Sequence, residues 1–187
     1  QDSPPEHRPS RVAVYVHGLA ATEWCWALDS ARLLGDPAAT FGSLLERDLG
    51  YTPIYVRYNS GRHVSECGRS LASALEELWQ RLAVMPRPDG PAGDAPMELL
   101  LVGHSAGGLV ARSATLIGAE LGCTWLPALT RVVCLGTPHQ GAALERFGHA
   151  AAAALHAIDL PATRIPAAVI RARSDGIKDL RHGDVRE

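Results

Sequence analysis

The sequence predicts an α/β domain, a mostly parallel sheet with helices on both faces. Three observations carry that expectation. Short β-rich apolar runs alternate with segments of helical period, the order that builds parallel sheets. Four of those runs end in polar, glycine-bearing turns. The longest continuous pattern, Met97 to Ala119, joins an apolar strand to an amphipathic helix through Gly103-His104-Ser105-Ala106-Gly107.

Composition narrows the function classes. A chain of 187 residues suits one domain, burying about 70% of its unfolded surface. The net charge of -2 has both signs interspersed, so no basic stripe argues for nucleic acid and no acidic run for a disordered tail. The apolar runs fall short of the roughly 20 residues a membrane span needs. No signal-peptide pattern is visible, but the chain begins at Gln1, so this says little about export and a cytoplasmic location is only the default. Cys25, Cys67, Cys123 and Cys134 lack Cys-x-x-Cys spacing. Cys134, inside an apolar run, reads as a small buried hydrophobe, and a disulfide among the others cannot be read from spacing. No His/Asp/Glu set has metal-ligand spacing, so a reduced domain without metal or cofactor is expected.

The elements follow in order. Residues 1–10, polar and carrying three prolines, read as a flexible lead-in to a domain over 11–187. Arg11 to Val16 is a buried strand ending in His17-Gly18-Leu19-Ala20-Ala21-Thr22. Glu23 to Gly50 has helical pattern in two pieces, broken at Gly35-Asp36-Pro37, with Gly50 as a C-cap. Tyr51 to Tyr58 is a second strand, with Asn59-Ser60-Gly61 as its exit. From Ser65 to Met85, Leu71, Leu75, Leu78, Trp79 and Leu82 share one helical face opposite Glu76, Glu77, Gln80 and Arg81. Pro86 to Pro96 is a proline-rich surface loop.

Leu99 to Val102 then reads as a strand buried on both faces, and Leu109, Val110, Ser113, Ala114 and Ile117 align on one face of the following helix. Arg131 to Leu135 is a fourth strand, leaving through Gly136-Thr137-Pro138-His139-Gln140-Gly141. Ala143 to Ile158 is alanine-rich and helical in pattern; Pro161 to Glu187 shows no clear element.

Chemistry concentrates at Ser105. A strand that reverses sharply into a helix leaves its turn residue strained and its side chain exposed, which is the structural context a Gly-x-Ser-x-Gly motif requires. Gly103 and Gly107 let strand and helix approach, and Gly108 keeps the first turn narrow, leaving room for an acyl group. The Ala106 amide opens the helix, where unpaired N–H groups and the dipole favour an oxyanion. Ligands of parallel sheets bind beyond the carboxyl ends of the strands. The four glycine-bearing exit loops should therefore converge on one site.

The motifs Val16-His17-Gly18-Leu19, Arg57-Tyr58-Asn59-Ser60-Gly61, Gly103-His104-Ser105-Ala106-Gly107-Gly108 and Gly136-Thr137-Pro138-His139-Gln140-Gly141 stand in the right order to resemble the α/β-hydrolase superfamily over Arg11 to Ala142. Within it the chain looks most like bacterial triacylglycerol lipases and esterases and the lipase-like domains related to GPI inositol-deacylases. The resemblance implies an α/β-hydrolase fold and Ser105 as the nucleophile of an acyl-enzyme. It implies an oxyanion hole from the backbone N–H groups of Leu19 and Ala106. His17 would orient its loop, while Gly18, Ala20, Asn59, Ser60, His104, Thr137, Pro138 and His139 are candidates for the substrate pocket. His63 reads as loop structure or a substrate contact; His149 and His156 read as solvated.

A serine needs a histidine to take its proton and an acid to orient that histidine, and in this superfamily both follow the serine on later strands. The exit loop of the fourth strand has no acid, and Glu145 falls in the next helix. Asp175 and His182 are local candidates, but seven residues leave no room for the usual intervening elements. The preferred expectation is that the chain stops before the fold's last two strands, with acid and histidine beyond. Residues 143–166 stand where such hydrolases often insert a lid, a reading that competes with a plain packing helix. The expected partner is a small ester or lipid, with brief contact with a membrane or lipid surface. A serine ester hydrolase leads; an acyltransferase and a non-catalytic hydrolase-like scaffold remain as alternatives.

Overall fold

A computed structural model of the chain describes residues 9–27, 29–86 and 97–139. Four strands, β1 (Arg11–Val16), β2 (Thr52–Val56), β3 (Glu98–His104) and β4 (Leu129–Leu135), form one sheet in the order β2-β1-β3-β4. Every pairing is parallel. The period of two explains how both faces are filled. Val12, Val14, Val16, Leu99 and Leu101 point into one core, and Ala13, Tyr15, Leu100 and Val102 point into the other with Trp26 and Tyr51.

The helices are α1 (Ser30–Leu34), α2 (Phe41–Leu49), α3 (Val64–Ala83) and α4 (Ala106–Leu121). On α3, Leu71, Leu75, Trp79 and Leu82 are buried and Leu78 is partly buried, as the periodicity predicts. Helix α3 lies against α4 at Gly68, where a Cβ would come within 2.3 Å of Ser113 Oγ. The α2 helix starts in a capping box between Thr40 and Ser43 and stops at Gly50, with φ 71.

Register places the site. Val16 is level with Val56 and with Gly103, and His104 with Leu135. All four strands therefore finish along one edge of the sheet, and their exit loops leave side by side.

Two expectations change. The first helical piece after the β1 exit is a 3₁₀ turn, Glu23–Ala27, followed by the five-residue α1. Of its tryptophans, Trp26 is buried against Tyr15 whereas Trp24 is 71% exposed. Cys134 is half-buried because β4 has a neighbour on one side only among the described residues. None of the four cysteines, all of them described, is joined in a disulfide. The expectations for 1–8, 87–96, the 143–166 region, Glu145, His149, His156, Asp175 and His182 lie outside the described residues.

Candidate active site

Strand β3 enters α4 through Ser105, whose φ of 52° and ψ of -124° are unusual for a residue with a Cβ. Such a conformation costs on the order of 1–3 kcal/mol and persists only where the surroundings hold it. Here Ser105 N–H donates to the Leu135 carbonyl at 2.8 Å, and the Ser105 carbonyl accepts from Gly108 N–H at 3.1 Å. The elbow is thus tied to β4 on one side and to its own helix on the other.

The glycines around it are explained by contacts. A Cβ on Gly103 would lie 2.5 Å from Gly108 Cα, so β3 and α4 meet there. Gly107 faces β1 instead: its Cβ would lie 2.1 Å from the Val16 carbonyl oxygen and 2.4 Å from that of His17. Gly108 differs from the expectation that it leaves room for an acyl group. Its Cβ would strike Thr137 Oγ1 at 2.0 Å, so the space belongs to Thr137.

The loop after β1 reaches the serine. A Cβ on Gly18 would be 3.1 Å from Ser105 Cβ and 3.2 Å from the His104 carbonyl oxygen. Three successive peptide planes of this loop are each held by a side chain. The His17 carbonyl accepts from Tyr58 Oη at 2.7 Å. The Gly18 carbonyl accepts from His17 Nδ1 at 2.9 Å; a carbonyl only accepts, so Nδ1 carries the proton. The Ala20 N–H donates to Ser60 Oγ at 3.1 Å, with Ala20 at φ 55. In a trans peptide the carbonyl and the following N–H point in opposite directions. Holding the Gly18 carbonyl therefore also sets the direction of the Leu19 N–H. Ala106 is the first residue of α4, so its N–H has no acceptor within the helix.

His17 is fully buried and stacked on Tyr58, with ring centroids 4.4 Å apart. Its Nε2 is buried without a hydrogen-bond partner. Burial lowers its pKa; the bond to Gly18 and the charge of Glu23 oppose that, and Arg57 adds to it. The sign follows: between the ordinary value of 6.5 and the lower folded value, the unfolded chain holds more protons. Stability contributed by neutral His17 is therefore present above pH 6.5 and falls as the pH drops below it. Denaturant melts at stepped pH should show that loss in the native protein and not in His17→Asn, which keeps a donor near Nδ1 but does not titrate.

The other candidates fall around this centre. His104 is exposed, meets Trp26 edge-on at 6.4 Å between centroids, and is held below its usual pKa by partial burial. Exposed Asn59 accepts from Gly61 N–H through its side chain at 3.0 Å. Thr137 has its hydroxyl buried behind α4, with no hydrogen-bond partner, and Pro138 follows it, half-buried. His139 Nδ1 lies 2.8 Å from Arg112 Nη1, on the side of α4. Sequence reasoning missed Tyr58 as a loop contact, and also the two-pronged pair of Arg57 with Glu23 that ties the β2 exit to the turn after the loop. The signal available was position, since both follow a strand level with β1. Among the described residues, no group of three or more His, Cys, Asp or Glu could hold a metal, and no helix is long and apolar enough to cross a membrane.

Comparison with known proteins agrees with this architecture. Bacillus licheniformis lipase BlEst2 in its mature form superposes with a TM-score of 0.58 at 20% identity, over 98% of this chain and 59% of that one. Its propeptide form gives 0.56 at 20% identity, over 99% and 32%. The RedJ thioesterase of the prodiginine pathway in Streptomyces coelicolor gives 0.50 at 18% identity, over 97% and 63%. The chain thus spans less than two thirds of each of these proteins. At such identities the likeness establishes the fold, that of the α/β-hydrolases. No curated protein matches the chain. The model of the PGAP1-like alpha/beta domain matches residues 42–157, more than half of the sequence and including the serine elbow, and the chain belongs to that family.

Proposed function

We propose that this protein is a serine carboxylic-ester hydrolase of the lipase and esterase type. Ser105 is its nucleophile, and the N–H groups of Leu19 and Ala106 form its oxyanion hole. The observation that carries the reading is the seating of Gly18 against Ser105 with the Gly18–Leu19 peptide plane held by His17. A strained serine beside a fixed main-chain donor is what attack on an ester carbonyl requires.

In this mechanism an imidazole takes the Ser105 proton as Oγ bonds to the ester carbon. The negative charge passes to the former carbonyl oxygen, between the two amides. Collapse of this intermediate expels the alcohol, which leaves with the proton, and the acyl group remains on Ser105. Water then attacks the acyl carbon as the imidazole takes its proton, and that proton passes to Ser105 Oγ as the acyl–oxygen bond breaks and the acid departs. Of the nearby described histidines, His17 is engaged with the Gly18 carbonyl and His139 with Arg112, and the ring of His104, the residue before Ser105, meets Trp26 edge-on. In this reading the imidazole and its orienting acid follow the serine in sequence, as in the superfamily the chain resembles, and lie outside the described residues. His17 orients the loop, while Ala20, Asn59, His104, Pro138 and His139 are the candidates to line the approach.

An apolar, uncharged substrate suits the surroundings, because Arg57 and Glu23 neutralise each other beside the loop. A lipid or other apolar ester, met in solution or at a lipid surface, is the proposed partner. The test is hydrolysis of p-nitrophenyl butyrate by the native protein, acid-quenched and analysed by peptide mass spectrometry. The expected result is turnover with a butyryl group on the peptide containing Ser105. No turnover and no adduct would leave a binding or scaffold domain; turnover only with an added alcohol acceptor would make it an acyltransferase.

A further inference from the structure

We infer that the exit of β2 positions the oxyanion loop for catalysis, through Tyr58 and Ser60. This rests on the proposed oxyanion role of the Leu19 amide and assigns the side chains that hold it in place. Strands β1 and β2 finish level, Val16 beside Val56, so their exits run together for several residues. Along that run Tyr58 holds the His17 carbonyl at 2.7 Å and stacks on the His17 ring, and Ser60 holds the Ala20 amide at 3.1 Å. These two contacts bracket the Gly18–Leu19 plane, whose own carbonyl is held by His17.

The arrangement stores a conformation that Ala20 would otherwise leave. With φ at 55°, Ala20 sits in the left-handed region, unfavourable for a residue with a Cβ. Without Ser60, only the long 3.4 Å bond from Ala21 N–H to the Gly18 carbonyl closes the turn around Ala20, which then relaxes towards negative φ and turns the Leu19–Ala20 plane, the neighbour of the plane that carries the Leu19 N–H. Freed from Tyr58 Oη, the His17–Gly18 plane on the other side gains the same liberty. Both residues act on the reaction through the loop, so they are positioning residues. A hydroxyl at 60 thus serves to accept an amide, a role different from contact with substrate.

The test uses Tyr58→Phe, which keeps the stacking ring, Ser60→Ala, which removes the acceptor, and Ser60→Thr, which restores one. Two readouts are needed in the native protein: kcat and KM on p-nitrophenyl butyrate, and amide hydrogen exchange of peptides spanning residues 17–21. Expected are kcat losses of roughly tenfold in Tyr58→Phe and Ser60→Ala, a fraction of what removing a whole oxyanion donor costs. KM should stay within about twofold, since the interaction is made in the transition state. Loop exchange should quicken while α4 exchange is unchanged, and Ser60→Thr should recover both. Unaltered loop exchange in Tyr58→Phe and Ser60→Ala, or a rise in KM with kcat intact, would overturn the inference. Absence of Ser105-dependent turnover in the unsubstituted protein would instead defeat the parent reading, and loop exchange would still judge the clamp.

Discussion

Ser105→Ala should lower kcat for ester hydrolysis by about 10⁶, the loss typical of removing a nucleophilic serine, with KM little changed. What remains would be the contribution of binding and of the two amides, roughly 10³ to 10⁴ over water. The same position makes a second, opposite statement about stability. Ser105 sits at φ 52 and ψ -124, so its backbone is strained by its own Cβ. Ser105→Gly removes that strain and should raise unfolding free energy by about 1 kcal/mol or more, net of the greater freedom glycine gains when unfolded. Ser105→Ala keeps the Cβ and should leave stability near that of the native protein. A pair of variants equally inactive but differing in melting temperature would identify strain retained for function. Equal melting temperatures would say that the elbow is relaxed.

Gly107→Ala should have the largest effect on folding. Its added methyl group would meet backbone on every near side, the carbonyl oxygens of Val16 and His17 and the carbon of Val16, the farthest at 2.8 Å. Overpacking a core typically costs about 1–3 kcal/mol when side chains can yield. Here β1 and α4 themselves must part, so a loss of about 3 kcal/mol or more is expected. The displacement also moves the His17 carbonyl that receives Tyr58, so surviving folded protein should have a misplaced loop after β1. Gly35→Ala is the control: its Cβ meets nothing within 4 Å, so only the penalty of φ 73 applies, about 1–2 kcal/mol. Urea denaturation of the two variants separates steric exclusion from backbone strain. A Gly107→Ala no less stable than Gly35→Ala would contradict the packing described.

Much of this architecture was legible in the sequence because it rests on period and punctuation. The apolar, β-rich run of Arg11–Val16, the helical stripe of Leu71 to Leu82 and the glycine after Leu49 are local properties, and each falls where its pattern predicts. The turn at Ser105 was readable because the motif lay between a strand and a helix. Tertiary relations were not legible. Nothing local in Gly108 says that Thr137 fills the space beside it, nor in Gly107 that it faces β1 more closely than β3. Tyr58 reads as the last aromatic of a strand until register sets it beside His17. Trp24 and Trp26, two residues apart, look alike in sequence, and the 3₁₀ turn sends one into the core and the other to solvent.

The central claim is that Ser105 is an activated nucleophile facing a fixed pair of amides. Its most direct test is reaction of the native protein with a fluorophosphonate probe, followed by proteolysis and mass spectrometry. A single phosphonyl adduct on Ser105, abolished by prior heat unfolding and absent from Ser105→Ala, is the result expected. An unmodified Ser105, or labelling that survives in Ser105→Ala, would contradict the account.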